Sequence, residues 1–157
     1  MIKRELYMSR IRPFIGTELI KVMTGIHRCG KSVMLELIKQ ELTESGVSPA
    51  QFISINFEDM SYSHLQTAQA LHDEITKRAA EIEGKVYLFF DEIQEVKDWE
   101  KCINSFRVSL DCDIYITGSN AKLLSGELAT YLGGRYVEFV IYPFSFGEFR
   151  ELYRSIT

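Results

Sequence analysis

Short apolar runs alternate with longer segments of helical period along the chain. The runs with the length and composition of β-strands are 20–24, 51–57, 85–90, 113–117 and 136–141. Apolar residues at helical spacing lie between them, over 31–44, 62–83, 99–110 and, in a shorter piece, 120–125. Because strand and helix alternate, right-handed crossovers predict a mostly parallel sheet with helices on both faces.

Three segments add detail to this prediction. The apolar run from Val86 to Phe90 is unbroken, which is typical of a strand buried on both faces. Asp98 stands where its side chain could cap a helix beginning at Trp99, and Trp99 is expected to be a core residue. A capping-box pattern, Ser145 with Glu148 three residues later, predicts the start of a last helix.

Composition adds limits on size and class. The chain has 157 residues, of which 46% are hydrophobic and 25% charged, as in an ordinary globular domain. Its net charge of -4 disfavours a passive nucleic-acid coat protein. No run is long enough for a membrane span, no secretory signal opens the chain, and the three cysteines lack zinc-site spacing. We therefore expect a cytoplasmic domain without membrane association.

The stretch GIHRCGKS, between the first strand and the first helix, matches G-x-x-x-x-G-K-[ST] in full. Glycines let the backbone wrap round phosphate groups, while amide N–H groups and the helix N-terminus attract anions. We predict that Lys31 neutralises the β- and γ-phosphates of a nucleotide and that Ser32 is a Mg²⁺ ligand. The alternative is a glycine-rich turn without chemical meaning. The predicted phosphate-binding residues are Gly25, Ile26, His27, Arg28, Cys29, Gly30, Lys31 and Ser32.

An acidic pair follows the third predicted strand. Asp91 and Glu92 come directly after the buried run, and open α/β sheets bind ligands at the carboxyl ends of their strands. We predict that Asp91 holds Mg²⁺ and that Glu92 acts as the general base for an attacking water. The alternative, an acidic pair that only ends a strand, is disfavoured by the P-loop motif upstream.

Two further segments carry candidate residues with open alternatives. Ser119 and Asn120 follow the fourth strand, where they could bond the γ-phosphate, orient the water, or only cap the next helix. Arg135 follows two glycines ahead of the fifth strand. It could act as an arginine finger toward a neighbouring subunit or be an ordinary surface arginine.

The motifs GIHRCGKS, LFFDEIQ, ITGSNAKLLSG, GGRY and YPFSFGEF together resemble a prokaryotic group of AAA+ P-loop ATPases. The resemblance runs over about residues 20–149, although the group usually has an arginine where His27 stands. It implies a P-loop NTPase three-layer α/β sandwich with a five-stranded sheet in the order 5-1-4-3-2, and ATP and Mg²⁺ as cofactors. The site residues that it implies are Lys31, Ser32, Asp91 and Glu92, with Ser119 or Asn120 as sensor 1 and Arg135 as a finger.

The resemblance also concerns the rest of the protein. AAA+ cores are normally followed by a helical lid, and members of this group carry a further C-terminal domain. We see no lid domain before Thr157, and we interpret residues 1–157 as an ATPase core from a longer protein, with 1–19 an N-terminal segment and 20–149 the core. The partners expected are ATP, a homo-oligomer, and a protein partner or the C-terminal domain.

The function expected is ATP binding and Mg²⁺-dependent hydrolysis coupled to a conformational change. The alternative is a nucleotide-dependent binding switch with negligible hydrolysis. Binding of nucleic acid through the basic N-terminus is a third hypothesis, disfavoured by the acidic net charge, and we expect a solvated tail there. The basic residues of that segment are Lys3, Arg4, Arg10 and Arg12.

Overall fold

Strands and helices alternate along the chain, as the hydrophobic pattern predicts. The computed structural model describes residues 2–25, 30–119, 123 and 130–142. Its helices are α1 Ile2–Ile11, α2 Lys31–Glu44, α3 Ala68–Ala79 and α4 Trp99–Ser109. Its strands are β1 Ile20–Thr24, β2 Phe52–Asn56, β3 Val86–Asp91, β4 Cys112–Gly118 and β5 Tyr136–Val140. Short 3₁₀ turns cover Arg12–Phe14, Pro49–Gln51, Met60–Leu65 and Ile93–Glu95.

The strands form one parallel sheet in the order β2-β3-β4-β1-β5. Counted from the other edge this is 5-1-4-3-2, so the predicted α/β class and strand order are confirmed. Because these strands are parallel, Gly25 at the end of β1 and the acidic pair at the end of β3 lie at the same end of the sheet, with β4 between the two strands. No helical lid and no helix suited to crossing a bilayer is found among the described residues.

Apolar side chains cover both faces of the sheet. One core cluster packs α1 and α2 against residues such as Phe89 and Tyr115, and the other packs α3 and α4 against Phe90 and Ile116. Neighbouring residues of β3 thus face opposite layers, and Phe89 and Phe90 are both fully buried. The prediction of a strand buried on both faces is confirmed, and so is the core position of Trp99.

The N-terminal segment is a packed helix, so the expectation of a solvated tail is wrong. Tyr7, Met8 and Ile11 share one face of α1 and are buried in the core cluster with α2. This spacing is that of an amphipathic helix, and the burial of its apolar face outweighs the local basic charge. Arg12 does not face bulk solvent alone, because its guanidinium lies between the carboxylates of Glu5 and Glu41.

Two details of the helical predictions are also corrected. The segment 62–83 is not one helix, because a 3₁₀ turn ends at Leu65 and a new helix, α3, begins at Ala68. Thr67 caps α3 with its side-chain oxygen, which accepts a hydrogen bond from Ala70 N. Asp98 has a left-handed φ of 58° and makes no side-chain cap to α4. The predicted 120–125 helix, apart from Leu123, and the capping box at Ser145 lie outside the described residues.

Candidate functional site

The P-loop motif is described at its two ends. Gly25 follows β1, and Gly30 directly precedes α2 with a φ of 100°, a left-handed conformation that glycine adopts without a side-chain clash. The motif therefore connects the end of a buried strand to the N-terminus of a helix, where backbone N–H groups favour anions. The predicted loop residues between these glycines, Ile26, His27, Arg28 and Cys29, lie outside the described residues.

The side chain of Lys31 connects the tips of three strands. It is 3% exposed, and its Nζ donates to the carbonyl oxygens of Gly25 at 2.9 Å and Gly118 at 3.2 Å. The same Nζ lies 3.3 Å from Oε1 of Glu92. The Lys31 ammonium thus contacts two carbonyl oxygens and one carboxylate oxygen. It can exchange these contacts for the oxygens of an incoming phosphate chain, with which it forms charge-assisted hydrogen bonds.

Ser32 and Asp91 are in direct contact. The hydroxyl of Ser32 donates to Oδ2 of Asp91 at 2.5 Å. This contact places an oxygen atom from α2 next to an oxygen atom from the end of β3. Hydroxyl and carboxylate oxygens are the donors that Mg²⁺ prefers, and Mg²⁺ binds through few protein ligands together with substrate phosphates and water. The residues present therefore fit a Mg²⁺ ion beside the P-loop.

Thr117 holds both acidic residues in place, a role that the sequence analysis missed. Its hydroxyl donates to Oδ1 of Asp91 at 2.5 Å and accepts the backbone N–H of Glu92 at 2.9 Å. Thr117 is fully buried near the end of β4. The pairing of β4 with β3 brings it beside Asp91, so the strand order together with alternation along β4 was the signal that could have found it.

Glu92 has an unusual backbone for its residue type. Its φ of 57° and ψ of 53° place it in the left-handed region, which costs a residue other than glycine about 1–3 kcal/mol. The side chain is buried between Lys31, at Oε1, and Gln94, whose Nε2 donates to Oε2 at 2.6 Å. Gln94 is a second contact to which the sequence analysis assigned no role, although it is the last residue of the LFFDEIQ motif.

The remaining candidates divide between the two edges of the sheet. Ser119 follows β4 at the site edge and is half-buried, while Asn120 lies outside the described residues. Arg135 is exposed just before β5, and its carbonyl oxygen accepts from Ile20 N at the start of β1. The structure therefore brings Lys31, Ser32, Asp91 and Glu92 together, and it places Arg135 at the opposite edge, away from this chain's own site.

Open space adjoins the site. A cavity of about 330 Å³ borders Ser32 and Asp91 and extends between α2 and β2 past Glu36 and Asn56. A cavity of about 530 Å³ lies at the opposite edge of the sheet, beside Cys112. The chemistry of the lining residues, and not the size of the cavity, marks the first as part of the site.

Comparison with known sequences gives the family. A family model described as "AAA domain" matches residues 17–150. An uncharacterized protein of Haemophilus influenzae is 46% identical over 149 residues, which are 95% of this chain and 37% of that protein. An uncharacterized protein of Methanocaldococcus jannaschii is 39% identical over 131 residues, 83% of this chain and 28% of that protein. The chain thus spans well under half the length of these curated relatives.

Solved structures share the fold at low sequence identity. The ORC1 protein of Aeropyrum pernix in complex with DNA has a TM-score of 0.63 and 15% identity, covering 98% of this chain and 48% of that one. Hsp104 in its closed state with ATPγS and casein has a TM-score of 0.61 and 17% identity, covering 98% and 29%. AMPPCP-bound DnaA of Aquifex aeolicus has a TM-score of 0.55 and 15% identity, covering 87% and 44%. With the family model matching most of its length, the chain belongs to the AAA domain family.

Proposed function

We propose that this chain is the nucleotide-binding core of an AAA+ ATPase that hydrolyses ATP with Mg²⁺. The observation that carries the proposal is the convergence of Lys31, the Ser32–Asp91 pair and Glu92 at the edge where the P-loop motif meets α2. Family membership and the nucleotide analogues in the Hsp104 and DnaA structures support nucleotide binding in general. The four residues supply the separate groups that phosphoryl transfer to water needs.

Each residue has one task in this proposal. Lys31 leaves Glu92 and the carbonyl oxygens to bind the β- and γ-phosphates. Ser32 and Asp91 hold Mg²⁺, which when bound neutralises charge on those phosphates. Glu92 takes a proton from a water molecule as the water oxygen bonds to the γ-phosphorus and the bond to the β–γ bridging oxygen breaks. The products are ADP and phosphate.

Lys31 also provides an order of events. With its ammonium beside Oε1 of Glu92, Lys31 occupies one of the two carboxylate oxygens that a water molecule would approach. A nucleotide that draws Lys31 toward its phosphates leaves that oxygen available. Binding of the nucleotide therefore precedes the step in which Glu92 takes the proton.

The proposal extends to an assembly and a longer protein. Arg135 lies at the sheet edge opposite to the P-loop, so as an arginine finger it acts on a neighbouring copy and requires a homo-oligomer. Ser119 or Asn120 serves as sensor 1. The greater length of the relatives supports a core at 1–157, with 20–149 its AAA+ part, in a protein of the prokaryotic group with a C-terminal domain. Hydrolysis drives a conformational change in that whole protein, in the cytoplasm.

The binding of nucleic acid is the weaker candidate. The ORC1 structure contains DNA, but the net charge of this chain is -4 and the guanidinium of Arg12 is already paired with two carboxylates. In our proposal, the conformational change acts on a partner protein or on the C-terminal domain.

Substitution of Glu92 tests hydrolysis against the switch alternative. Glu92→Gln should lower the turnover of ATP by about 10²- to 10⁴-fold and preserve ATP binding, because it removes the base and keeps the shape of the side chain. Glu95→Gln, an exposed position on the same turn, is the matched control and should keep full turnover. Negligible turnover in the native protein, unchanged in Glu92→Gln and with nucleotide bound by both, would favour the binding switch.

Two substitutions test nucleotide and metal binding. Lys31→Ala should abolish measurable ATP binding in a calorimetric titration, since it removes the positive charge that meets the phosphates. Asp91→Asn should remove the dependence of ATP affinity on added Mg²⁺. Unchanged affinity in Lys31→Ala would contradict the assignment of the loop.

A further inference from the structure

The last residue of the LFFDEIQ motif contacts the acidic pair from the next turn. The Ile93–Glu95 turn folds back so that Nε2 of Gln94 donates to Oε2 of Glu92 at 2.6 Å. Since a carboxylate only accepts, the NH₂ group of Gln94 must be the one facing Glu92. This is a charge-assisted hydrogen bond, which is stronger than one between neutral groups.

The other end of the same amide is buried as well. Oε1 of Gln94 has no hydrogen-bond partner in the described part of the chain. It lies against the end of β4, where a Cβ on Gly118 would come within 2.5 Å of it. Gly118 is not among the residues with positive φ, so space and not backbone conformation requires glycine there. A buried oxygen without a hydrogen-bond partner and a glycine within a strand both lower the stability of a protein. In the described part of the chain, both occur at the side-chain amide of Gln94.

These contacts matter once Lys31 moves. In the arrangement described, Lys31 holds Oε1 of Glu92 and Gln94 holds Oε2. If Lys31 turns to the phosphates, Gln94 is the remaining side-chain partner that the structure shows for the carboxylate. A left-handed backbone at Glu92 does not by itself fix its side chain.

We infer that Gln94 is a positioning residue that holds the carboxylate of Glu92 for proton transfer, with Gly118 leaving the space that its amide occupies. The inference rests on the proposed function in that it takes Glu92 as the base. It predicts an effect on turnover and not on ATP affinity, because the side chain of Gln94 contacts Glu92 and is not one of the groups proposed to bind phosphate.

The kinetic test replaces Gln94 with leucine, which has a similar size and no donor. In Gln94→Leu, kcat should fall about 10- to 100-fold, the scale expected for a displaced catalytic group, with KM for ATP unchanged. Glu95→Gln on the same turn should keep kcat. Gln94→Leu with native kcat, or with a rise in KM alone, would overturn the inference.

A second test needs neither nucleotide nor turnover. In ¹H–¹⁵N spectra of the native protein, the side-chain amide of Gln94, assigned by its loss in Gln94→Leu, should have a proton displaced downfield by the carboxylate. Glu92→Gln should move this resonance and leave those of the other glutamines in place. Gly118→Ala should move it as well, because the new methyl group pushes the amide aside. A resonance unaffected by both substitutions would show that the contact is absent.

The two tests separate the possible failures. If Glu92→Gln leaves the turnover of the native protein unchanged, the proposed function fails, and the amide resonance still decides whether Gln94 holds Glu92. If Glu92→Gln abolishes turnover while Gln94→Leu retains it, only the role of Gln94 fails.

Discussion

Replacing Asp113 with alanine should remove much of the stability of this domain. Asp113 and Lys21 are both completely buried, on neighbouring strands β4 and β1, and their side chains pair at 2.5 Å. The second carboxylate oxygen accepts from the backbone N–H of Gly16 at 2.9 Å and from the hydroxyl of Tyr115 at 2.6 Å. Asp113 thus joins the centre of the sheet to the turn that precedes β1.

The size of the effect follows from what the substitution leaves behind. Asp113→Ala leaves the Lys21 charge buried without the carboxylate, although its Nζ still donates to the carbonyl oxygen of Thr17 at 2.8 Å. It also removes the acceptor of two further donors. Breaking a buried ion pair in this way costs about 3–5 kcal/mol. The total free energy of unfolding of such a domain is about 5–15 kcal/mol. We therefore expect the variant to unfold at a much lower urea concentration than the native protein.

The pH dependence of the variant's stability provides a second test, for which the direction of the change can be predicted. Burial lowers the pKa of Lys21 and the Asp113 carboxylate opposes this, so Asp113→Ala should lower that pKa further. At a pH below the usual lysine pKa of about 10.5, Lys21 is protonated in the unfolded chain, whereas the folded variant binds that proton poorly. Stability of the variant should accordingly rise as the pH is raised toward that value, so its deficit against the native protein shrinks.

The assay is urea unfolding followed by circular dichroism, with Asp111→Ala as the matched control. The Asp111 carboxylate is 75% exposed and lies 3.8 Å from Lys85, so its loss should change the free energy of unfolding by no more than about 0.5 kcal/mol. The double variant Lys21→Met/Asp113→Leu should be more stable than Asp113→Ala, since no charge is left unpaired. Equal destabilisation by Asp113→Ala and Asp111→Ala would refute the reasoning.

Three further predictions concern α1, the turn that follows it, and the thiols. Ile11→Ala should lower the free energy of unfolding by about 2–5 kcal/mol in urea titrations, because the side chain is fully buried. Arg12→Ala should lower it by no more than about 1 kcal/mol, since its ion pairs are solvent-exposed; a larger loss would contradict this. Burial raises the pKa of Cys102 to about 12 and of Cys112 to about 11, so a Cys29→Ser protein should react slowly with a thiol reagent at pH 8 and faster as the pH rises.

The local sequence was sufficient to predict an element's bounds where helix- or strand-breaking residues coincide with the ends of a hydrophobic pattern. The predicted bounds of β1 and α2 match the observed Ile20–Thr24 and Lys31–Glu44, because glycines 25 and 30 interrupt the chain between an apolar run and an amphipathic helix. The order of strands and helices and the parallel sheet also follow from the pattern. The chemistry of a contiguous motif was visible for the same reason: its members need no tertiary contact to be recognised together.

Tertiary contacts decided the points at which local signals mislead. The basic charges near the N-terminus suggested a tail, yet the apolar face of α1 gains more by burial against α2 than its charges lose. Helical spacing over 62–83 did not reveal that Thr67 caps a new helix. Asp98 is a residue type that often caps helices. Its backbone is left-handed at the start of α4, however, and its side chain makes no capping hydrogen bond.

The site shows the same division most clearly. The sequence alone identified Lys31, Ser32, Asp91 and Glu92 as candidates, because each belongs to a motif of fixed local spacing. Thr117, Gln94 and Gly118 act on these residues only because β4 lies between β1 and β3 and the turn after β3 folds back onto it. Contacts of this kind depend on which strands are neighbours in space, and neighbours in space are chosen by the packing of the whole sheet.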